Sequence, residues 1–374
     1  MPAPESPAKS STSIADTHKI VFVICLLGSV LLIVVLMSGS HADFIAQFNK
    51  IMGPVIGVPD PYNAIIASGK ANGWSMEGAD WKSTVLVSNI PFLAMIGAAY
   101  SFAIGGEIKS VGKAQTYGML GAVLVTTVLW VATIVLAEDV IGYEFLGTAT
   151  YNIWVPGQGV LTTPTDPSVT LMAGILTGSG LMTLILSMGL ILWMWMWLPG
   201  IQSYAVRAMV AWSFDRVAPA ALGSISQTRH TPVVAIAFSL VISVICLALF
   251  VFTEKFSQVI VLIECQVLAW TAVLLAGVFF PYARPHIYEK SPIARIKLFG
   301  LPLMTVACGL GFLASLFYLV SLYFDDIAAG HAWWQMQFVL GIFVVAVIFF
   351  FAMKYYRASQ GIDINLAFKE IPIE

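Results

Sequence analysis

Eight predominantly apolar runs, at about 20–38, 87–106, 116–137, 170–197, 233–252, 257–281, 299–323 and 334–353, divide the chain. Each is close to the ~20 residues a helix needs to cross a hydrocarbon core about 30 Å thick. Within the runs the apolar residues do not alternate with period two, as the strands of a membrane barrel do. Backbone polar groups in lipid must be satisfied within the segment, so the runs predict α-helices. The expected fold class is therefore all-α, a polytopic membrane protein with about eight transmembrane helices.

Polar segments set the rest of the organisation. Residues 1–16, rich in Ser, Pro and Ala, predict a mobile tail. Residues 17–358 form the membrane domain, with long external loops at 39–86 and 138–168, and residues 359–374 form a second tail. In the first loop, FIAQFNKIM predicts a short amphipathic helix at the membrane surface, and Asp60-Pro61 and Asn72-Gly73 are turn signals. The second loop, with Pro156-Gly157 and Pro164, reads as a lid or a plain connector. Neither a soluble domain nor a short-period repeat is evident. The first run, preceded by Lys19 and followed by Ser40-His41-Ala42, has the outline of a signal peptide. Its 19 apolar positions exceed the usual ~7–15, so it reads as a retained span.

Composition narrows the class. Of 374 residues, 59% are hydrophobic and 10% charged, with a mean hydropathy of +0.88. A soluble domain carries about 25% charged residues. Placing the N-terminus inside puts fourteen of the eighteen Lys and Arg on the cytoplasmic side, leaving Lys50, Lys70, Lys82 and Lys255 outside. That bias predicts a multi-pass protein of the cell membrane with both termini cytoplasmic. The net charge of −2 argues against nucleic acid as a partner; the lipid bilayer is the expected one. Cys25, Cys246, Cys265 and Cys308 lie inside apolar runs, widely spaced and without neighbouring His, and read as buried thiols. Trp193, Trp195, Trp197, Trp333 and Trp334 read as interfacial belts.

Three stretches carry a family resemblance. Residues 207–219 read RAMVAWSFDRVAP and are followed by Thr231-Pro232. Arg207, Ala211, Asp215, Arg216, Pro219, Thr231 and Pro232 match R-x-x-x-A-x-x-x-D-R/G-x-x-P and the later T-P. This resembles the loop after the eighth helix of permeases of the amino acid-polyamine-organocation superfamily. The second span, PFLAMIGAAYSFAIGGEIKS, is similar to the sixth helix of that family through Phe92, Ala94 and Gly97, and again through Gly106, Glu107, Ile108 and Lys109. Arg284-Pro285 resembles the start of the segment after the family's tenth helix.

The resemblance implies that the chain corresponds to family helices five to twelve. It would hold a partial inverted-repeat (5+5) transporter fold lacking most of the first repeat. An amino acid or related amine would be the substrate, held at the broken second span by Phe92, Ala94, Met95, Gly97 and Ala98. The missing helices would come from a longer gene, from a separate chain supplying the first four helices, or from self-association. Three departures weigh against a complete site. Ala98 stands where the family often has a gating aromatic, Ser110 and Val111 replace an asparagine and a proline, and Gly28 falls where many proton-coupled relatives carry a lysine.

Glu264, inside VIVLIECQVLAW, is the one acid well within an apolar run. A charge there costs at least ~2.5–3.5 kcal/mol, so Glu264 is a candidate for ion coupling as a proton carrier, or else a packed, hydrogen-bonded residue. Glu107 and Lys109, with Arg207, Asp215 and Arg216, are candidates for an inner gate; a solvated helix end is the plainer reading. With no HExxH, Ser-Lys dyad or paired intramembrane His, neither an enzyme nor a cofactor is expected. The competing reading is a membrane subunit that keeps the packing without a substrate pocket.

Overall fold

The computed structural model describes residues 14–76, 80–108, 110–155, 157, 159–228, 230–253, 261–325 and 333–368. About four fifths of them are helical. In chain order the helices are α1 (Ile14–Ser38), α2 (His41–Ile56), α3 (Pro61–Ala71), α4 (Trp81–Val87), α5 (Asn89–Met95), a 3-10 stretch (Ile96–Glu107), α6 (Val111–Ala137), a π turn (Glu138–Gly142), α7 (Tyr143–Trp154), α8 (Val169–Thr177), α9 (Gly180–Phe214), α10 (Val233–Phe252), α11 (Val261–Ala283), α12 (Pro285–Tyr288), α13 (Leu303–Tyr323) and α14 (Trp333–Ser359). One small antiparallel hairpin pairs Lys297–Leu298 with Leu301–Pro302. Eight segments among the described residues are long and apolar enough to cross a membrane.

Boundaries differ from the hydropathy pattern in four places. The run at 170–197 is interrupted: α8 ends at Gly178, whose φ of 62° places it in the left-handed region, and α9 starts afresh at Gly180. Thr-Gly-Ser-Gly supplies the backbone freedom for that stop. α9 then runs 35 residues, so Arg207 is helical where a loop was expected. Ala, Met and Arg there favour helix, and the next proline beyond Pro199 is Pro219. A third difference lies in the same helix. Trp193 sits within α9, where its Nε1 donates to Ser29 Oγ at 3.1 Å and its ring meets Phe22 edge-on, so it has packing partners in α1 that the linear pattern did not show.

The fourth difference is the largest. Segments 39–86 and 138–168, expected as loops without a domain, are mainly helical and build a buried core. Two compact units divide the chain, one from residues 1–78 and 116–201 and the other from 79–115 and 202–374. In the first unit α2, α3, α7 and α8 enclose Phe44, Phe48, Ile65, Ile141, Phe145 and Met172, all with no exposed surface. Phe145 stacks on Tyr62 with centroids 4.6 Å apart. The local signals were present. Ser40 and Asp43 form a capping box at α2, and Asp60 caps α3 ahead of Pro61. What periodicity could not show is that these short helices bury their faces on one another.

The π turn locks this core. Tyr62 Oη donates to the Ile141 carbonyl at 3.0 Å, and His41 Nδ1 lies 3.0 Å from the Val140 carbonyl. Burial, with the Glu144 carboxylate adding to it, pushes the Tyr62 hydroxyl up to about 12. An unfolded chain ionises tyrosine near pH 10. The phenol's contribution is therefore complete below pH ~10 and is lost as the pH rises toward 12. Tyr62→Phe is expected to cost about 1 kcal/mol at neutral pH and to flatten the fall in thermal stability above pH 10. Unfolding curves from pH 8 to 12 that stay parallel for both proteins would reject this role.

Also in the first unit, α1 and α9 cross at glycine. A Cβ built on Gly28 would stand 3.3 Å from the Gly189 Cα, and one on Gly189 would stand 3.4 Å from the Gly28 Cα. Such contact is possible only where neither helix has a side chain. In the second unit the most extensive helix pairing is that of α11 with α13.

Candidate functional site

The second span changes its winding within apolar sequence. Asp80 caps α4, its carboxylate accepting from the Ser83 amide at 2.8 Å, and α4 gives way at Ser88 to α5. Pro91 is the third residue of α5, where a missing amide donor costs nothing. At Ile96 the α-helix becomes a 3-10 helix of twelve residues. Runs beyond three or four residues are uncommon, because 3-10 hydrogen bonds are poorer and side chains at i and i+3 eclipse. Such a stretch can exchange hydrogen bonds with α-helix or a ligand at small cost. Phe92, Ala94 and Met95 end α5; Gly97 and Ala98 open the 3-10 stretch.

Polar and aromatic side chains gather beside this change. Phe92 stacks on Tyr318 of α13 at 4.3 Å. Tyr100 Oη donates to Gln266 Oε1 of α11 at 3.1 Å, and its ring meets that of Tyr204 edge-on at 5.4 Å. Gln115 Nε2 donates to the Ser101 carbonyl at 2.7 Å, taking up an acceptor of the 3-10 turn. Asn89 Nδ2 donates to Asp325 Oδ2 at 3.2 Å, and Ser321 Oγ donates to the Val85 carbonyl at 3.0 Å. Buried and without a hydrogen-bond partner are Glu264 Oε2, Gln266 Nε2 and Asn89 Oδ1.

α11 packs on α13 in an antiparallel register. A Cβ on Gly277 would meet Cys308 Sγ, and one on Gly311 would meet the Leu274 side chain. Val267 packs with Tyr318 in one buried cluster, against which Phe92 also packs. Glu264 lies one turn before Val267 in α11.

The expected gate residues are described only in part. Lys109 and the side chain of Glu107 lie outside the described residues. Arg207 is in α9; Asp215 and Arg216 close its C-terminus, Arg216 with a φ of 62°. The partner seen at that helix end is Arg357 of α14. Its Nε donates to the Arg216 carbonyl at 3.3 Å and its Nη2 to the Ala218 carbonyl at 3.1 Å. A guanidinium at a helix C-terminus meets both free carbonyls and the negative end of the dipole.

Sequence reasoning missed Tyr318, Gln266, Asn89 and Arg357. Gln266, two residues after Glu264, and Tyr100 were visible as polar positions in apolar runs. Tyr318 and Arg357 acquire meaning only from residues far away in the chain.

Compared with protein-family models, curated proteins and solved structures, the chain matches none.

Proposed function

We propose that this chain is a secondary transporter of amino acids or related organic amines, its substrate held at the 3-10 stretch of the second span. The observation that carries the reading is that stretch itself, a long run of weakly bonded backbone inside an apolar span with Tyr100 hydrogen-bonded to Gln266 beside it. Non-α backbone at membrane depth is tolerated where it lines a protein-buried or water-filled cavity, and transporters build substrate sites from such broken helices. A carboxylate and an amine each find partners in exposed backbone N–H and C=O groups. On this reading Phe92, Ala94, Met95, Gly97 and Ala98 line the substrate, and Glu264 is its ion-coupling group. Arg207, Asp215 and Arg216 lie at the inner gate with Glu107 and Lys109. The protein sits in the cell membrane with both termini cytoplasmic. Its helices take the places of helices five to twelve of an amino acid-polyamine-organocation permease, with alternating access completed by further spans from a partner chain or a second copy.

A specific observation favours the second reading, a non-transporting membrane subunit. Gly28, at the position of the family's coupling lysine, is filled by the backbone of Gly189. A lysine there would have to push the Gly189 backbone aside by a few tenths of an ångström, so the transport reading leans on Glu264.

Uptake of a labelled amino-acid mixture into proteoliposomes of the purified chain, under imposed pH or sodium gradients, tests this. Accumulation is expected, and Glu264→Gln is expected to lower gradient-driven uptake at least tenfold while leaving substrate exchange measurable. Accumulation that is absent under every gradient, for the chain alone and for membranes of its native host, supports the subunit reading instead.

A further inference from the structure

Between the end of α11 at Ala283 and the start of α13 at Leu303 lies an ordered segment whose surface suits neither water nor the hydrocarbon core. Arg284, Lys290, Arg295 and Lys297 are all exposed there, against one acid, Glu289. Among the described residues none of these four is in an ion pair. Ile293, Ile296, Leu298 and Leu301, interleaved with them, are exposed as well. At the tip of the hairpin Phe299 is 90% exposed.

The fold holds these side chains out. Tyr288 is buried, the Leu303 amide donates to the Ile296 carbonyl at 3.0 Å, and both strands of the hairpin contact α13. Leu298 pairs with Leu301 and Lys297 with Pro302, so the two leucines share one face of the hairpin and Lys297 lies on the other. The two turn residues, Phe299 and Gly300, have φ of 54° and 80°. A two-residue turn with both φ positive matches the twist of its strands and favours Asn, Asp or Gly. A bulky residue with positive φ is an outlier, and outliers persist where their surroundings offset the strain. In water Phe299 would lose twice, in conformation and in solvation, so its position calls for an apolar partner.

Depth identifies that partner. α13 has 21 residues, about 31 Å of helix, which matches a hydrocarbon core of ~30 Å and puts Leu303 at its edge. From there two residues of strand carry the chain only about 7 Å to the turn. Headgroups extend the bilayer by roughly 5–8 Å on each side of the core, so the tip stays within their reach. We propose that segment 284–302 docks on the membrane interface. Phe299 inserts at the boundary of headgroups and acyl chains, and Lys290, Arg295 and Lys297 hold the phosphates of anionic phospholipids. Aromatic insertion joined to basic side chains is how a segment binds an anionic interface. The inference rests on the chain lying in a bilayer and is independent of transport.

Native mass spectrometry of the purified full-length chain, titrated separately with phosphatidylglycerol and phosphatidylcholine, tests the headgroup contact. Tighter binding of phosphatidylglycerol is expected. It should fall at least tenfold in the triple variant Lys290→Gln, Arg295→Gln, Lys297→Gln, with phosphatidylcholine binding unchanged. Phe299→Asn is expected to keep or raise the unfolding temperature in detergent, because asparagine suits the turn, while weakening phosphatidylglycerol binding; a purely structural Phe299 would lower the temperature instead. A spin label on Phe299→Cys, with the four native cysteines replaced by alanine, reports depth in vesicles of phosphatidylcholine and phosphatidylglycerol in equal parts. Collisions with oxygen are expected to exceed those with a water-soluble nickel chelate. A label as open to the chelate as one in water overturns the insertion. Equal phosphatidylglycerol affinity in the parent and the triple variant overturns the headgroup contact. A label shielded from both reagents means that a protein covers the tip and overturns the lipid as its partner.

Discussion

Truncating Phe145 to alanine is expected to destabilise the first unit by about 3–5 kcal/mol, the usual cost of deleting a buried aromatic ring. Phe145 has no exposed surface and touches three other rings: Tyr62 stacked at 4.6 Å, Phe48 edge-on at 4.8 Å and Phe44 at 5.9 Å. These rings come from α2, α3 and α7, so the cavity opens where three short helices meet. α3, with 11 residues, and α7, with 12, are too short to be stable alone, since isolated helices of fewer than ~12–15 residues are marginal in water. The loss should therefore spread. Amides of α2, α3 and α7 are expected to exchange with solvent together and faster, while those of α11 and α13 keep their protection. Phe145→Leu, which refills part of the volume, should lose clearly less. Equal loss in the two variants, or loss confined to α7, would show that the cluster is not one cooperative core.

Gly28→Leu is expected to have the second-largest effect. Its first side-chain atom would stand 3.3 Å from the Gly189 backbone, and no rotamer relieves a Cβ contact with backbone. Overpacking costs typically ~1–3 kcal/mol, more where backbone rather than side chains must move. A helix crossing at glycine also gains from close dispersion contact at the crossing point, which a separated pair forfeits. Thermal unfolding in detergent is expected to show a drop of several degrees for Gly28→Leu and a smaller one for Gly28→Ala. Gly28→Lys tests function through the same contact. If the position served coupling, a lysine would enhance proton-driven uptake. The crossing predicts instead a poorly assembled protein with less of every activity. Unchanged stability in Gly28→Leu would mean that α1 and α9 do not meet at this point.

Both predictions concern residues whose importance the linear pattern did not reveal, and the reasons differ. Gly28 is one of many glycines in apolar runs, and nothing local distinguishes a crossing point from an unencumbered position such as Gly118 or Gly121, where an added Cβ meets nothing. Phe145 lies in a segment with a polar beginning and three later prolines, which reads as a connector. Capping signals and a short amphipathic stretch in segment 39–86 were legible, but the burial of its helices depends on partners about a hundred residues away.

The candidate site divides in the same way. A backbone irregularity in the second span was legible from Gly97 and the small residues around it, and the structure has a change of helix type at Ile96 in place of an unwound turn. Glu264 stood out because a charge in an apolar run is costly. Its surroundings did not, because they depend on the packing of α11 on α13, which are distant in the chain.

The sequence by itself determined the class. Eight apolar runs of spanning length force helix, since lipid offers the backbone no other partner, and a low charge content leaves no surface for water. The tertiary structure alone decided where those helices touch. Hydropathy measures the transfer of each segment into lipid, and every face of a lipid-bathed helix is apolar whether it meets a neighbour or an acyl chain. Contacts such as Gly28 on Gly189, Phe145 on Tyr62 and Phe92 on Tyr318 are matters of shape between distant segments. They, rather than hydropathy, set which side chains come together within each unit.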